Sequence, residues 1–417
     1  MKVLIITYYW PPAGGSGVQR WLKFVKYLQD FGITPVIYTV ENPDYPIKDT
    51  TLEKEIPKGI EVLKQPIWEP YKLAAVFSKN KKINTNAGFL SPKKSMLSKL
   101  ALYVRANFFI PDARMFWIQP SIKYLSNYIK HHKIDAIIST GPPHSTHMIG
   151  LGLKKKLNMR WIADFRDPWT EIDYFYQLPL TQKSIKKHHK LEQAVLKNAD
   201  EVLVVGNTMK KAYDVFSKNV SVITNGFDGD ISKETEIDKE FTLTHIGMLN
   251  ADRNPTILWK VLSELDKNIN IKVQLIGKVA LEVKQTIADF KLTEQVSFID
   301  YLPHDAVKKY QQKSQVLLLA VNNVPSAKGI VTGKIFEYLQ AQRPIVAIAP
   351  IDGDLSVILQ KSKAGTVVGF QDEVALKKIV VDLYQKYQSG VLKIDSVGVE
   401  QYHRKVLTAQ LATIIKQ

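Results

Sequence analysis

Short β-branched apolar runs alternate with helical patterns along almost the whole chain. The runs fall at 3–7, 36–40, 136–139, 161–163, 201–205 and 220–224, and in a second series at 241–246, 271–276, 296–298, 316–320, 345–348 and 366–368. Helical spacing lies between many of them, at 18–31, 144–157 and 181–198, and then at 256–265, 281–290, 306–312, 335–340 and 355–360. A strand that returns through a helix pairs parallel with its predecessor, so strand–helix alternation builds parallel sheets covered on both faces. Two series imply two doubly wound α/β domains. The turn-forming stretch Asn225-Gly226-Phe227-Asp228-Gly229-Asp230, followed by the charged and poorly periodic 231–240, marks the boundary. The expected domains are 1–230 and 231–399. A last helix at about 400–417, with apolar Val406, Leu407, Leu411, Ile414 and Ile415, follows the second.

Bulk composition limits the function classes. Hydrophobic residues make up 45% of the 417, enough for two proper cores. No cysteine is present, which excludes disulfides and thiolate metal sites and fits a cytoplasmic setting. The apolar run at 3–7 is too short for a signal peptide and reads as a first strand, and no run approaches the ~20 residues that span a bilayer. The net charge of +17 points to polyanionic partners: nucleic acid, anionic lipid or phosphorylated substrates. It concentrates at 72–114 and 183–190.

In the second half, Thr332-Gly333-Lys334-Ile335-Phe336-Glu337 opens a helix and leads to a Pro-started strand at 344–348. Helix N-termini offer unpaired N–H groups to phosphate, Lys334 adds a charge, Gly333 lets a ligand approach, and Glu337 offers a carboxylate to ribose hydroxyls. An ordinary amphipathic helix with a solvated Lys and Glu is the competing reading. Strand-end glycines at Gly247 and Gly277, and Tyr301 after a third strand, converge on the same sheet edge, with Tyr301 able to stack on a base. Arg253 precedes a helix and can add a charge-assisted bond to phosphate, worth about 1.5–3 kcal/mol; Asn254 reads as that helix's N-cap. Asp352-Gly353-Asp354 reads as a turn and N-cap rather than a metal site.

In the first half, Pro11-Pro12-Ala13-Gly14-Gly15-Ser16-Gly17 joins the first strand to the first helix, without a dinucleotide fingerprint because Arg20 fills its third glycine position. Its glycines suit either a tight turn or close approach to a ligand or the facing domain. His144 opens a helix, as a neutral hydrogen-bond partner or a structural cap. Asp164-Phe165-Arg166-Asp167-Pro168-Trp169 ends a strand, as a polar site or as a buried Arg–Asp lock. Residues 79–110 combine basic and large apolar side chains, which suits an anionic membrane surface or a core helix with a charged outer face.

Together these residues resemble the family-4 retaining glycosyltransferases of the GT-B fold. The likeness rests on Tyr9-Trp10-Pro11-Pro12-Ala13-Gly14-Gly15, Asp164-Phe165-Arg166-Asp167-Pro168-Trp169, Ile246-Gly247-Met248-Leu249 and Gly333-Lys334-Ile335-Phe336-Glu337-Tyr338-Leu339. It implies two Rossmann-like domains facing a central cleft, an acceptor-binding N-terminal one and a C-terminal one that binds a UDP-, GDP- or dTDP-sugar. The last helix would cross back to the first domain. Carried over, Glu337 binds the donor ribose and Arg253 the diphosphate, Thr332, Gly333 and Lys334 face phosphate, and Gly14 and Gly15 lie near donor phosphate and acceptor. His144, Arg253 and Lys334 are the expected catalytic residues. Gly247, Gly277 and Tyr301 lie on the donor side, and Arg166 and Asp167 on the acceptor side. Two departures stand out. The family's first glutamate of a pair falls at Gly329, and its basic residue after the strand glycine at Met248, leaving Lys328 or Lys334 to supply that charge.

The resemblance implies sugar transfer with retained anomeric configuration to a saccharide or polyprenyl-linked acceptor in cell-surface polysaccharide synthesis. No metal and no cofactor are expected, and the enzyme would be cytoplasmic or peripheral on the inner membrane face. A non-catalytic sugar-nucleotide sensor and a basic nucleic-acid-binding protein are the alternatives. Clustering of the lysines in the first domain fits lipid or lipid-phosphate acceptors better than nucleic acid, which would need basic residues interleaved with aromatics along one surface.

Overall fold

The computed structural model describes residues 1–69, 96–232 and 236–417. The chain forms two compact units, Met1–Asn225 with Arg404–Gln417, and Gly226–His403.

The first unit is built on a parallel sheet of order β3-β2-β1-β4-β5-β6-β7. Its strands are β1 Lys2–Ile6, β2 Thr34–Val40, β3 Glu61–Gln65, β4 Ala136–Gly141, β5 Arg160–Phe165, β6 Glu201–Val204 and β7 Val220–Val222. Val3, Leu4, Ile5 and Ile6 are all fully buried, as a central strand covered on both faces requires. Edge strand β3 has charged Glu61 and Lys64 in place of an apolar run, which hides it from hydropathy and blunts the edge. The helices are α1 Ser16–Leu28, α2 Met96–Phe108, α3 Ile118–His131, α4 Ser145–Leu157, α5 Gln182–Asn198 and α6 Asn207–Tyr213. The order of strands reverses between β1 and β4, and the α1 and α4 loops flank that switch point, where open α/β sheets collect ligands.

The second unit carries the order β10-β9-β8-β11-β12-β13, also parallel. Here β8 is Thr242–Ile246, β9 Lys272–Ile276, β10 Val296–Ile299, β11 Val316–Ala320, β12 Ile345–Ile348 and β13 Gly365–Val368. Its helices are α7 Thr256–Ser263, α8 Leu281–Asp289, α9 His304–Lys313, α10 Lys334–Ala341, α11 Asp354–Ser362 and α12 Glu373–Gln388. The switch point lies between β8 and β11.

The division falls earlier than the expected residue 230, because 227–230 are held by the second unit. Phe227 is 3% exposed in the second core, its N–H donates to Tyr402 O, and Gln340 Nε2 donates to the carbonyls of Asp228 and Asp230. A final helix, α13 Arg404–Lys416, belongs to the first unit. Leu407, Leu411 and Ile415 form its buried stripe at helical spacing. Lys405 pairs with Asp30 at 2.9 Å, and Arg160 donates to Ile414 O at 2.7 Å.

Candidate functional site

Two glycines shape the carboxyl edge of the second sheet. Gly247 follows β8 with φ 108° and Gly277 follows β9 with φ 115°, a region that side chains other than glycine rarely adopt. A Cβ on Gly277 would lie 3.0 Å from Gly247 O, and one on Gly247 would lie 2.5 Å from Lys334 Nζ. The first residue of α10 therefore lays its ammonium on the backbone beyond β8, beside Met248. Tyr338, one turn along α10, holds that strand end by accepting from Ile246 N at 3.0 Å.

Arg253 reaches the same place from the other side. It closes a short 3-10 turn, Ala251–Arg253, capped by Asn250, whose side chain accepts from Arg253 N at 3.1 Å. Its Nε donates to Asn322 Oδ1 at 2.9 Å and its Nη1 to Met248 O at 3.3 Å. Asn254 is not the cap of α7. Pro255 takes that position, and Asn254 bonds Thr286 and Trp259.

The ammonium of Lys334 is closely surrounded by protein although its side chain is partly accessible. Its pKa is pushed down to about 7, first by burial and then by the Arg253 charge, against the opposing pull of Glu337. Behind both cations His245 is fully buried and held neutral, burial being the first cause and the Lys334 and Arg253 charges the next. Its Nδ1 donates to Leu318 O at 3.1 Å, the tautomer a carbonyl partner requires. Two cations crowded at a helix start suit an anion: a bound diphosphate would relieve their repulsion and meet the positive end of the α10 dipole, whose first N–H groups donate to Thr332 Oγ1, Thr332 O and Gly333 O.

Glu337 lies in the first turn of α10, where Gln311 Nε2 donates to its Oε2 at 3.1 Å. Thr332 Oγ1 accepts from Lys334 N at 3.2 Å. Gly333 is exposed, and a Cβ there would meet nothing within 4 Å. Packing within the unit therefore does not require glycine at this position. Tyr301 is 84% exposed beyond β10. Lys328 forms an exposed 2.6 Å pair with Asp352, so of the two candidates Lys334 is the one laid beside Met248. Neither aspartate caps α11: Gly353 is its N-cap and Asp354 its first residue.

In the first unit the glycine loop is tied down by its own packing. Gly14 N donates to Ile47 O at 2.9 Å, a Cβ on Gly14 would lie 2.8 Å from Ile47 Cγ2, and Gly15 has φ 84°. Arg166 turns its guanidinium onto the carbonyls of Gly141, Gly17 and Pro142, and packs over the Tyr9 ring. It clamps two loops together, while Asp167 is exposed at the end of β5. The buried Arg–Asp lock exists, but its arginine is Arg20 of α1. Fully buried Asp164 pairs with Arg20 at 2.8 Å and accepts from Trp21 Nε1 at 2.7 Å and Thr140 Oγ1 at 2.8 Å. Burial alone would raise the Asp164 pKa; the charge and hydrogen bonds of Arg20, with those of Trp21 and Thr140, lower it instead. His144 does not cap its helix with its side chain. It stacks on Trp169, with centroids 4.4 Å apart and planes at 2°, and is held well below the usual histidine range, by burial first.

Residues 227–389 match the family model described as glycosyl transferases group 1. The second unit is thus similar to group 1 glycosyltransferases over nearly its whole length. The chain is 26% identical over 184 residues, 43% of its length, to the Campylobacter jejuni GalNAc-alpha-(1->4)-GalNAc-alpha-(1->3)-diNAcBac-PP-undecaprenol alpha-1,4-N-acetyl-D-galactosaminyltransferase. The match spans 49%, about half, of that relative. Among solved structures, Anabaena HepE in complex with UDP aligns over 100% of both chains with a TM-score of 0.65 at 14% identity. The sucrose-phosphate synthase of Thermosynechococcus elongatus aligns over 100% of this chain and 98% of its own, with a TM-score of 0.63 at 14% identity. Such likeness shows the fold, the two-domain α/β architecture of GT-B proteins. Within the second unit, Asn322 and Gln311 hold Arg253 and Glu337 in place. Neither was singled out from sequence, although Asn322-Asn323 lies just past Val321 at the carboxyl end of β11.

Of the basic apolar stretch 79–110, residues 79–95 lie outside the described residues. In α2, Met96, Leu100, Tyr103, Val104 and Phe108 are exposed, together with Lys99 and Arg105. Asn107 anchors the helix, donating to Pro179 O and accepting from Thr181 N.

Proposed function

We propose that the protein is a retaining, family-4 glycosyltransferase. It transfers a sugar from a nucleoside-diphosphate sugar to a saccharide or lipid-linked acceptor in cell-surface polysaccharide synthesis. The observation that carries the reading is the Lys334 ammonium laid on Gly247 next to Arg253, inside a unit similar to group 1 glycosyltransferases. The C. jejuni relative's lipid-linked acceptor and the UDP held by HepE support the substrate classes.

In this reading the diphosphate sits at the start of α10 and Glu337 accepts from the ribose hydroxyls. As the bond to the sugar breaks, negative charge grows on the leaving phosphate. Arg253, Lys334 and the N-terminal dipole of α10 stabilise it, and no metal is called on. The acceptor's proton passes to a phosphate oxygen on the face the sugar leaves, which retains the configuration. The first unit binds the acceptor, with His144, Arg166 and Asp167 at the carboxyl ends of its strands.

Among the described residues no helix is long and apolar enough to cross a membrane. The exposed apolar face of α2 and the +17 charge support peripheral contact with an anionic inner membrane face. A sugar-nucleotide sensor is the second reading, favoured by Gly329 in place of a glutamate.

Incubation with UDP-, GDP- and dTDP-sugars and polyprenyl-diphosphate-linked saccharides decides between them. Transfer with a product anomer matching the donor, followed by NMR, is expected. An inverted product would refute retention, and nucleotide binding without transfer to any acceptor would support the sensor.

A further inference from the structure

His147, fully buried on the first turn of α4, has no part in the chemistry above, yet its bonds fix where its proton lies. Trp161 Nε1 donates to Ser139 Oγ at 2.9 Å, and Ser139 Oγ lies 2.9 Å from His147 Nδ1. An indole only donates, so Ser139 accepts there; His147 Nδ1 is the one other partner of Ser139 Oγ among the described residues, so the hydroxyl proton goes to it. The hydrogen of His147 is therefore on Nε2. The ring is neutral, its pKa pushed down to about 3 by burial first, with Arg166 adding to the effect and Asp164 opposing it.

That Nε2–H is sealed from solvent with no acceptor among the described residues, and His144 Nδ1 is sealed and unpartnered in the same way. Both border one glycine. A Cβ on Gly141 would lie 2.6 Å from His147 Nε2 and 3.2 Å from His144 Nδ1. The ring centroids are 5.9 Å apart. A single water that accepts from one nitrogen and donates to the other spans roughly 4.5 Å between them, which suits this spacing.

We propose that His147 is a positioning residue for His144: one buried water beside Gly141 accepts from His147 Nε2–H and donates to His144 Nδ1, so that His144 carries its proton on Nε2 and offers it to a sugar hydroxyl. Trp161, Ser139, His147, the water and His144 then form a chain of donors running one way, because the indole at its head can only donate. Stacking on Trp169, itself tethered by its Nε1 to His188 Nδ1 at 3.1 Å, prevents the His144 ring from turning over. The role given to His144 rests on the transferase reading; the tautomer does not.

Long-range 1H–15N correlation spectra of the full chain with labelled histidines read the tautomers directly. Wild type should show both His147 and His144 protonated on Nε2. In His147→Phe the His144 signals should move to a tautomer mixture, and kcat should fall about tenfold to hundredfold, less than the roughly 10²–10⁴-fold of a direct general acid–base contact because His147 acts only through His144, with the Kd for UDP unchanged. His147→Gln, which keeps an N–H donor at the position of Nε2, should restore both. A wild-type His144 protonated on Nδ1, or one unchanged in His147→Phe, overturns the proposal. The wild-type spectrum decides the matter even if His147→Phe does not fold. Absence of sugar transfer by wild type would count against the transferase reading alone, since the spectra do not depend on turnover.

Discussion

At the scale of single residues, Lys334 makes the sharpest claim. Its pKa of about 7 leaves it partly neutral at physiological pH, and bound phosphate would favour the ammonium and raise that value. Between the free and bound values, binding takes up one proton. Nucleotide affinity should therefore be level below about pH 7 and weaken by up to tenfold per pH unit above it. Lys334→Arg keeps its charge and should flatten the profile, and titration calorimetry of UDP and GDP from pH 6 to 9 reads both. The glycines divide in the same region. Gly247→Ala meets the Lys334 ammonium at a strained φ and should cost about 1–3 kcal/mol of stability along with nucleotide affinity. Gly333→Ala should leave the Tm unchanged and weaken nucleotide binding. Unchanged affinity would mean that no ligand approaches that backbone.

At the scale of elements, long-range locks hold what local sequence does not announce. The Arg20–Asp164 pair ties α1 to β5 across 144 residues. Asp164→Ala strands a buried guanidinium and should cost about 3–5 kcal/mol, measured by urea unfolding. Sequence located the strands buried on both faces, such as β1 and β11, because such strands are apolar from end to end. It missed β3, where Glu61 and Lys64 break the pattern, and α12, where the β-branched run Ile379-Val380-Val381 masks the helical stripe Leu376, Val380 and Tyr384. Side chains of the candidate site that sit at strand ends were legible as residue types. The contacts that aim them, Asn322 on Arg253 and Gln311 on Glu337, depend on which strand ends the fold brings together and leave no local signal.

At the scale of the whole molecule, the two units carry different tasks in the proposed reaction, donor on the second and acceptor on the first. The exposed apolar side chains of α2, beside Lys99 and Arg105, predict co-sedimentation with anionic phosphatidylglycerol liposomes that is lost at high salt. Absence of sedimentation at low salt would remove the membrane from the account. The central claim is that Arg253, Lys334 and Glu337 together hold a nucleoside diphosphate. Titration calorimetry of UDP, GDP and dTDP against wild type, Arg253→Ala and Glu337→Ala tests it most directly. Wild type should bind at least one of the three, and each variant should bind it at least tenfold more weakly with its Tm unchanged; equal affinity in wild type and both variants would contradict this.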